Sequence, residues 1–224
     1  MKLLLHIPSV AIFLFNLWAF PAFAQDLDMV VRHTTIFAGA DGVKRTNEFA
    51  ERVVRRQDQI WIERMVPEGW HPTDEHAHVK AGHDHRHLDV VTASRWLVRG
   101  VDGSVRVRLA AKEDKVLVDV AKTEYSNIGF DGSWTAAYYL IDPDALKRMK
   151  LSGIRGDLST YTNTDKNRQL KIVWNDKFKV PTLVESVSGA SSKRTVIEVS
   201  APVTTPPWKS TQKYVAKDYS DYLD

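Results

Sequence analysis

The chain has 224 residues, no cysteine and a formal net charge of +3 at pH 7, and 26% of its residues are charged. The lack of cysteine excludes disulfides and thiolate catalysis. Basic and acidic residues are mixed along the whole sequence, which does not indicate a nucleic-acid-binding protein. A chain of this length is expected to form one domain with a sizeable core.

The first 24 residues have the pattern of a secretory signal peptide. Lys2 precedes an apolar stretch over residues 3–23, and Ala22, Phe23 and Ala24 form the small-x-small motif that precedes a cleavage site. We expect cleavage after Ala24 and a mature protein in the periplasm. The alternative is an uncleaved membrane anchor.

Hydrophobic residues then alternate with a period of two, which predicts β-strands. A short helix is predicted over residues 141–150, because Asp142-Pro143 is a typical helix start. The sequence therefore predicts a mostly β domain over residues 25–203, followed by a polar tail over residues 204–224. The predicted strands cover residues 29–37, 49–54, 59–65, 89–98, 105–109, 115–120, 169–174, 182–188 and 194–200.

An aromatic, apolar segment over residues 134–140 precedes the predicted helix and includes Trp134. Two interpretations are open. The segment is either a lid over a concave surface, with residues 130–132 as its hinge, or a buried strand or helix that packs on the sheet. In both cases it supplies apolar contact surface.

Six of the eight histidines lie between His71 and His87, together with three carboxylates. Imidazole with carboxylate support suits zinc, copper(II) or nickel. We expect a loop and a weak, exchanging metal site, because ordering a loop offsets part of the binding energy. The alternatives are a solvated loop with incidental metal affinity and a pH-responsive loop. The candidate ligands are His71, Asp74, Glu75, His76, His78, His83, Asp84, His85 and His87.

No catalytic motif stands out in the sequence. A G-x-S-x-G elbow, an H-E-x-x-H pair and a phosphate-binding glycine loop are all absent. The one catalytic alternative is a metal-bound water activated near Asp74, Glu75 and His76. His33, alone in its predicted strand, is interpreted as an ordinary sheet residue. We therefore predict a protein that is not an enzyme.

Short motifs carry a resemblance to a known family. The segments ERVVRR at residues 51–56, IWIE at residues 60–63 and KIVWND at residues 171–176, with Val180-Pro181 after it, are similar to those of the periplasmic half-barrel family. This LolA/RseB-like family contains lipoprotein carriers and the lipid-sensing domain of the sigma-E regulator. The resemblance spans roughly residues 28–201, and the histidine run is a departure from it.

The resemblance implies a strongly curved antiparallel sheet, a half-barrel, with one or two short helices over its concave face. It also implies an apolar concavity that receives the acyl chains of a lipid or lipoprotein. We expect no required cofactor, and an inner-membrane regulatory partner is expected only if the chain is a stress regulator. Each candidate lining residue has core packing as its alternative. The candidates are Ile36, Ile60, Ile62, Trp96, Val107, Val118, Trp134 and Trp174.

Three functional hypotheses are open at this point. The first is a non-enzymatic periplasmic binding protein for an acyl chain, a lipoprotein or an envelope partner. The second is a periplasmic zinc or copper binding protein that acts through the histidine run. The third is a regulator of an envelope-stress sigma factor. The run joins a strand ending near Val66 to one starting near Leu88. We therefore expect it at one rim of the concavity, where a metal ion or a proton would regulate access.

Overall fold

The computed structural model describes residues 25–39, 42–66, 88–90 and 92–222. The predicted signal peptide and the histidine run lie outside these residues. Every strand, helix and contact given below refers to the described ranges.

The described residues form one open, curled sheet of twelve strands, which confirms the predicted mostly β half-barrel. The strand order is β12-β6-β5-β4-β3-β2-β1-β11-β10-β9-β8-β7, and every pair is antiparallel except β12 with β6. The strands are β1 (Leu27–Ala38), β2 (Lys44–Arg56), β3 (Gln59–Met65), β4 (Ser94–Arg99), β5 (Val105–Ala111), β6 (Val116–Val120), β7 (Lys150–Arg155), β8 (Leu158–Asp165), β9 (Arg168–Asn175), β10 (Val180–Ser188), β11 (Ser191–Ser200) and β12 (Val215–Asp218).

Two short α-helices and a 3₁₀ helix cover one face of this sheet, here called the inner face. They are α1 (Trp134–Tyr139), α2 (Pro143–Leu146) and the 3₁₀ helix Lys122–Ile128. Tyr138 of α1 and Ile128 belong to the same buried cluster as Val53 of β2. None of the described helices is long and apolar enough to span a bilayer. The predicted helix over 141–150 is thus shorter in the structure, because the chain enters β7 at Lys150.

The opposite, outer face of the sheet has its own apolar cluster. Side chains alternate between the faces of a strand, so Val54 lies on the outer face while its neighbour Val53 lies on the inner one. Trp61 is fully buried on the outer face. The partly buried residues packed around this cluster are Trp96, Leu117, Trp208 and Tyr214.

The C-terminal segment, predicted only as a polar tail, packs on the sheet. Two 3₁₀ helices, Pro207–Lys213 and Tyr219–Tyr222, flank β12, which pairs in parallel with β6. The rings of Trp96 and Trp208 lie nearly parallel with centroids 6.3 Å apart. One edge of the sheet is thus extended by the end of the chain itself.

Replacement of Trp208 by alanine is expected to lower the free energy of unfolding by about 1.5 kcal/mol, because a partly buried aromatic side chain loses its contacts with the outer cluster. Urea unfolding measures this loss. Alanine at Val203, which is 37% exposed, is the control. An equal effect of both substitutions would show that the C-terminal segment does not stabilise the sheet.

Candidate functional site: a cavity beneath the two helices

The two α-helices are short, and local hydrogen bonds define where they begin. The Ser133 side chain accepts a hydrogen bond from the Ala136 N–H at 3.1 Å, and Asp142 accepts one from the Asp144 N–H at 3.0 Å. Leu140, between the helices, has φ of 62°. This left-handed conformation is unfavourable for a side chain with a Cβ atom. The connection between α1 and α2 is therefore a strained turn held over the inner face.

A cavity of about 330 Å³ lies beneath this turn. Its walls come from β1, β2, β3, β9, β10 and β11, and Leu140 and Ile141 close it on the helix side. Most of the wall is apolar. The apolar wall residues are Val31, Val53, Ile62, Leu140, Ile141, Leu170, Pro181, Val184 and Ile197, and the polar ones are His33, Glu51, Arg168, Ser186, Lys193 and Thr195.

A second cavity of about 270 Å³ lies on the inner face beside α1. Ile62 contributes to both cavities, so the two spaces are neighbours across β3. The wall of the second cavity includes Val107 of β5, Ala137 of α1 and the segment Gly129–Asp131, which the sequence suggested as a hinge. The inner face therefore holds more apolar space than the helices fill.

The cavity beneath the turn is the larger of these two and is called the larger cavity below. His33 lies in its wall as part of a polar cluster. Its Nδ1 is 3.1 Å from the Thr195 hydroxyl, and its Nε2 is 3.4 Å from Glu51 Oε2. The ring also stacks on Phe49 with centroids 4.5 Å apart. Nε2 is buried and makes no well-aligned hydrogen bond among the described residues. The imidazole therefore interacts with Glu51 through charge and proximity when it is protonated.

Glu51 also receives a hydrogen bond from Arg95 Nη2 at 3.3 Å. Burial opposes ionisation of this carboxyl, but contact with His33 and the positive charges of Arg95 and Arg64 outweigh burial, so the pKa of Glu51 is lowered. A carboxylate with a lowered pKa in the folded state stabilises the fold above its unfolded pKa. That contribution is lost as the pH falls through the folded pKa.

Replacement of Glu51 by glutamine is therefore expected to flatten the acid limb of the stability profile. At pH 7 it should cost about 1 kcal/mol, since the ion pairs with His33 and Arg95 are partly exposed. Urea unfolding from pH 7 down to pH 3 measures both effects. A Glu51→Gln variant with the same pH slope as the parent would show that this carboxyl does not contribute to acid sensitivity.

Arg55 of β2 attaches α1 to the sheet. It is 1% exposed, and its guanidinium donates hydrogen bonds to the carbonyls of Tyr138 (3.1 Å), Gln25 (3.0 Å) and Phe178 (2.8 Å). It also lies over the Tyr138 ring, 4.8 Å from the centroid. No carboxylate of the described residues lies within ion-pair distance, and burial lowers the pKa of Arg55. This one buried cation joins three segments that are distant in sequence.

The eight lining candidates from the sequence are dispersed in the structure. Ile62 lines both cavities and Val107 lines the smaller one. Ile60 and Val118 are fully buried in the inner core, and Trp174 is buried in a cluster with Leu146 of α2. Two others lie away from both cavities. Trp96 packs on the outer face, and Ile36 lines a groove of about 540 Å³ near the strand ends. This groove shares Leu170, Ser186 and Lys193 with the cavity beneath the turn. Trp134 stacks on Tyr138 within α1.

The sequence interpretation took His33 as an ordinary sheet residue and gave Glu51 and Arg55 no role at the site. Alternation within residues 49–55 places Phe49, Glu51, Val53 and Arg55 on one face. This pattern could have indicated that the polar pair shares a face with Val53. The predicted strand ended at residue 54, whereas β2 continues to Arg56. The prediction therefore did not place Arg55 on the inner face of a strand. The nine candidate metal ligands between residues 71 and 87 lie outside the described residues. Within the described ranges, no group of three or more metal-ligating side chains comes together.

Comparisons with known proteins give structural likeness only. No protein-family profile and no curated protein matches the chain. Among solved structures, the chain is similar to PNGF-II, with 8% identity, a TM-score of 0.40 and coverage of 88% of this chain. It spans only 32% of the length of PNGF-II.

Two further solved structures are matched over most of their own length. One is a LolA superfamily protein from Nitrosomonas europaea, with 9% identity, a TM-score of 0.36 and coverage of 87% of this chain and 92% of that one. The other is a putative outer membrane lipoprotein-sorting protein domain from Vibrio parahaemolyticus, with 11% identity, a TM-score of 0.32 and coverage of 83% and 89%. The half-barrel assignment of this chain follows from its own strand order and curl.

Proposed function

We propose that this chain is a non-enzymatic binding protein of the periplasm whose inner cavity holds an acyl chain, free or as part of a lipoprotein. The observation that carries the proposal is the cavity of about 330 Å³ between the sheet and the turn at Leu140, with a mostly apolar wall. A packed core leaves few voids larger than a water molecule. A space of this size and composition is typical of a site for an apolar ligand.

The short helices α1 and α2 would form a movable cover over the cavity. α1 has six residues and α2 has four, and helices this short have no stability of their own in water. Their position depends on packing and on the hydrogen bond from Arg55 to the Tyr138 carbonyl. Release of that contact would open the cavity from the helix side, which gives an acyl chain a path into it.

The test is binding of a neutral acyl ligand, monododecanoylglycerol, measured by calorimetry. Val184→Phe places a larger side chain in the cavity wall and is expected to weaken binding by at least tenfold, because it fills the space the chain would occupy. Val187→Phe is the matched control on the same strand, since Val187 is 43% exposed and lines the neighbouring groove but not the cavity.

Two results would contradict the proposal. One is no detectable binding by the parent protein together with the absence of a lipid adduct, in native mass spectrometry, on protein purified from the cell envelope. The other is loss of binding in Val187→Phe but not in Val184→Phe, which would move the site to the groove.

Metal binding by residues 71–87 is a second candidate function, supported by the concentration of six histidines in that run. Titration of the protein with zinc and with copper tests it. We expect a dissociation constant tighter than about 100 micromolar that weakens when His76, His78, His83, His85 and His87 are all changed to alanine. An unchanged constant would exclude the histidine run as a metal site. The stress-regulator hypothesis stays a prediction.

A further inference from the structure

We infer that the ligand carries an anionic headgroup, which binds between Lys193 and Arg168 at the mouth of the larger cavity. This inference rests on the proposed function, because it names the chemical class of the amphiphile that the cavity accepts. Three observations carry it: the order of side chains along the wall, the pairing of charges on the two faces of the sheet, and the volume of the cavity.

The wall becomes more polar toward one end of the strands. Along β11, the inner-face residues are Ile197, Thr195 and Lys193, which lie opposite Val31, His33 and Thr35 of β1. Strands β9 and β10 show the same order. Val184 pairs with Ile172, Ser186 with Leu170, and Ser188 with Arg168 at the end of the hairpin. The cavity thus runs from an apolar interior to a cationic mouth.

Lys193 and Arg168 have no ion-pair partner among the residues that the structure describes. Asp165 lies opposite Arg168 in register, but no ion pair joins them, and the Asp165 carboxylate accepts a hydrogen bond from the Lys166 N–H. Glu51 is the one carboxylate in the described wall, and it interacts with His33 and Arg95. Both cations are exposed, so water solvates them, and no carboxylate of the described residues pairs with either one.

The outer face of the same strands provides a contrast. There Glu185 pairs with Arg194 at 2.7 Å and with Lys171 at 3.7 Å. Arg194 is next to Lys193 in β11, and Lys171 is three residues from Arg168 in β9. Arg194 and Lys171, on the outer face of these strands, are thus paired within the protein, whereas Lys193 and Arg168 on the inner face are not.

A carboxylate or a phosphate would complete this arrangement, since both accept charge-assisted hydrogen bonds from lysine and arginine. A neutral headgroup would leave the two cations solvated by water alone and would gain no charge-assisted contact from them. A volume of about 330 Å³ is at the small end of ligand sites, and it fits one acyl chain rather than several. The inferred ligand class is a single-chain anionic amphiphile, with a fatty acid and an alkyl phosphate as its two forms.

Calorimetry at pH 8 compares the binding of dodecanoate, dodecyl phosphate and monododecanoylglycerol. Their acyl or alkyl chains have equal length, so that only the headgroup differs. The parent protein is expected to bind at least one of the anions about tenfold more tightly than the neutral lipid, and this preference should shrink at high salt. In the double variant Lys193→Gln/Arg168→Gln, the affinities for the three ligands should converge, so that the preference for the anion is lost. The anion that binds more tightly identifies the headgroup.

The matched control is Lys150→Gln/Arg155→Gln, which removes the same two residue types from the exposed edge strand β7. Equal loss of anion affinity in both double variants would indicate a general charge effect and overturn the inference. Equal affinity of the parent protein for all three ligands would overturn it while the proposed function stands. Absence of binding by all three would remove both.

Discussion

Replacing Arg55 with methionine is expected to lower the free energy of unfolding by about 3 kcal/mol and to release α1 from the sheet. The substitution removes the donors for three carbonyl groups, those of Tyr138, Gln25 and Phe178. A buried acceptor left without a donor costs about 1–3 kcal/mol. Methionine recovers part of this loss through its own apolar contacts, and water reaches the freed groups when the helix moves.

Hydrogen exchange distinguishes release of the helix from a general loss of stability. In Arg55→Met, the amides of α1 and of the turn at Leu140 should exchange faster than those of the central strand β1. Arg155→Met, at an exposed position of β7, is the control and should change neither stability nor exchange. Uniform acceleration across β1 and α1 would show that Arg55 stabilises the whole sheet and does not hold the cover.

Replacing Asp28 with alanine is expected to cost about 2 kcal/mol. Asp28 is 3% exposed, and its carboxylate accepts hydrogen bonds from Arg52 at 3.1 Å and from Arg56 at 2.9 Å. Loss of one partner of a buried ion pair is strongly destabilising, because the remaining charge stays without compensation. The two arginines are partly exposed, which reduces the cost below that of a fully buried pair.

The control is the same substitution at Asp26, two residues before Asp28. Asp26 also interacts with Arg56, at 3.7 Å, but its side chain is 52% exposed. Asp26→Ala should therefore change stability by less than about 0.5 kcal/mol. Urea unfolding of the two variants at pH 7 measures the difference. If both substitutions cost the same, burial of Asp28 has no energetic consequence.

Strands with a clear alternation of apolar and polar residues could be predicted from the sequence. The alternation over residues 105–109 falls within β5, and that over 115–120 covers β6. β7 and β8 could not be found in this way. All six residues of β7 are exposed, and β8 is rich in threonine and other polar residues, so neither strand carries a hydrophobic period. β12 depends on parallel pairing with β6, which no local pattern encodes.

The cavity wall could be predicted only in part, because alternation gives the face of a residue but not its depth. Ile60 and Ile62 lie on the same face of β3, yet Ile60 is fully buried in the core and Ile62 borders both cavities. The difference arises from where the helices cover the sheet. Trp96 shows the converse. It was a candidate for the lining of the concavity, but it packs on the outer face with Trp208.

The position of β1 has a consequence for how the protein folds. Strands β2 to β6 and strands β7 to β11 each form pairs between neighbours in sequence, except where residues 66–93 separate β3 from β4. β1 joins the two halves, and its contacts with β11 connect residues such as His33 and Thr195, which are 162 positions apart. Pairing over such a distance is slow, since the loop must close before contacts form. The larger cavity has walls from both halves, so it requires the pairing of β1 with β11. A bound acyl chain would therefore favour the completed sheet by mass action, and the ligand would act as a late folding partner.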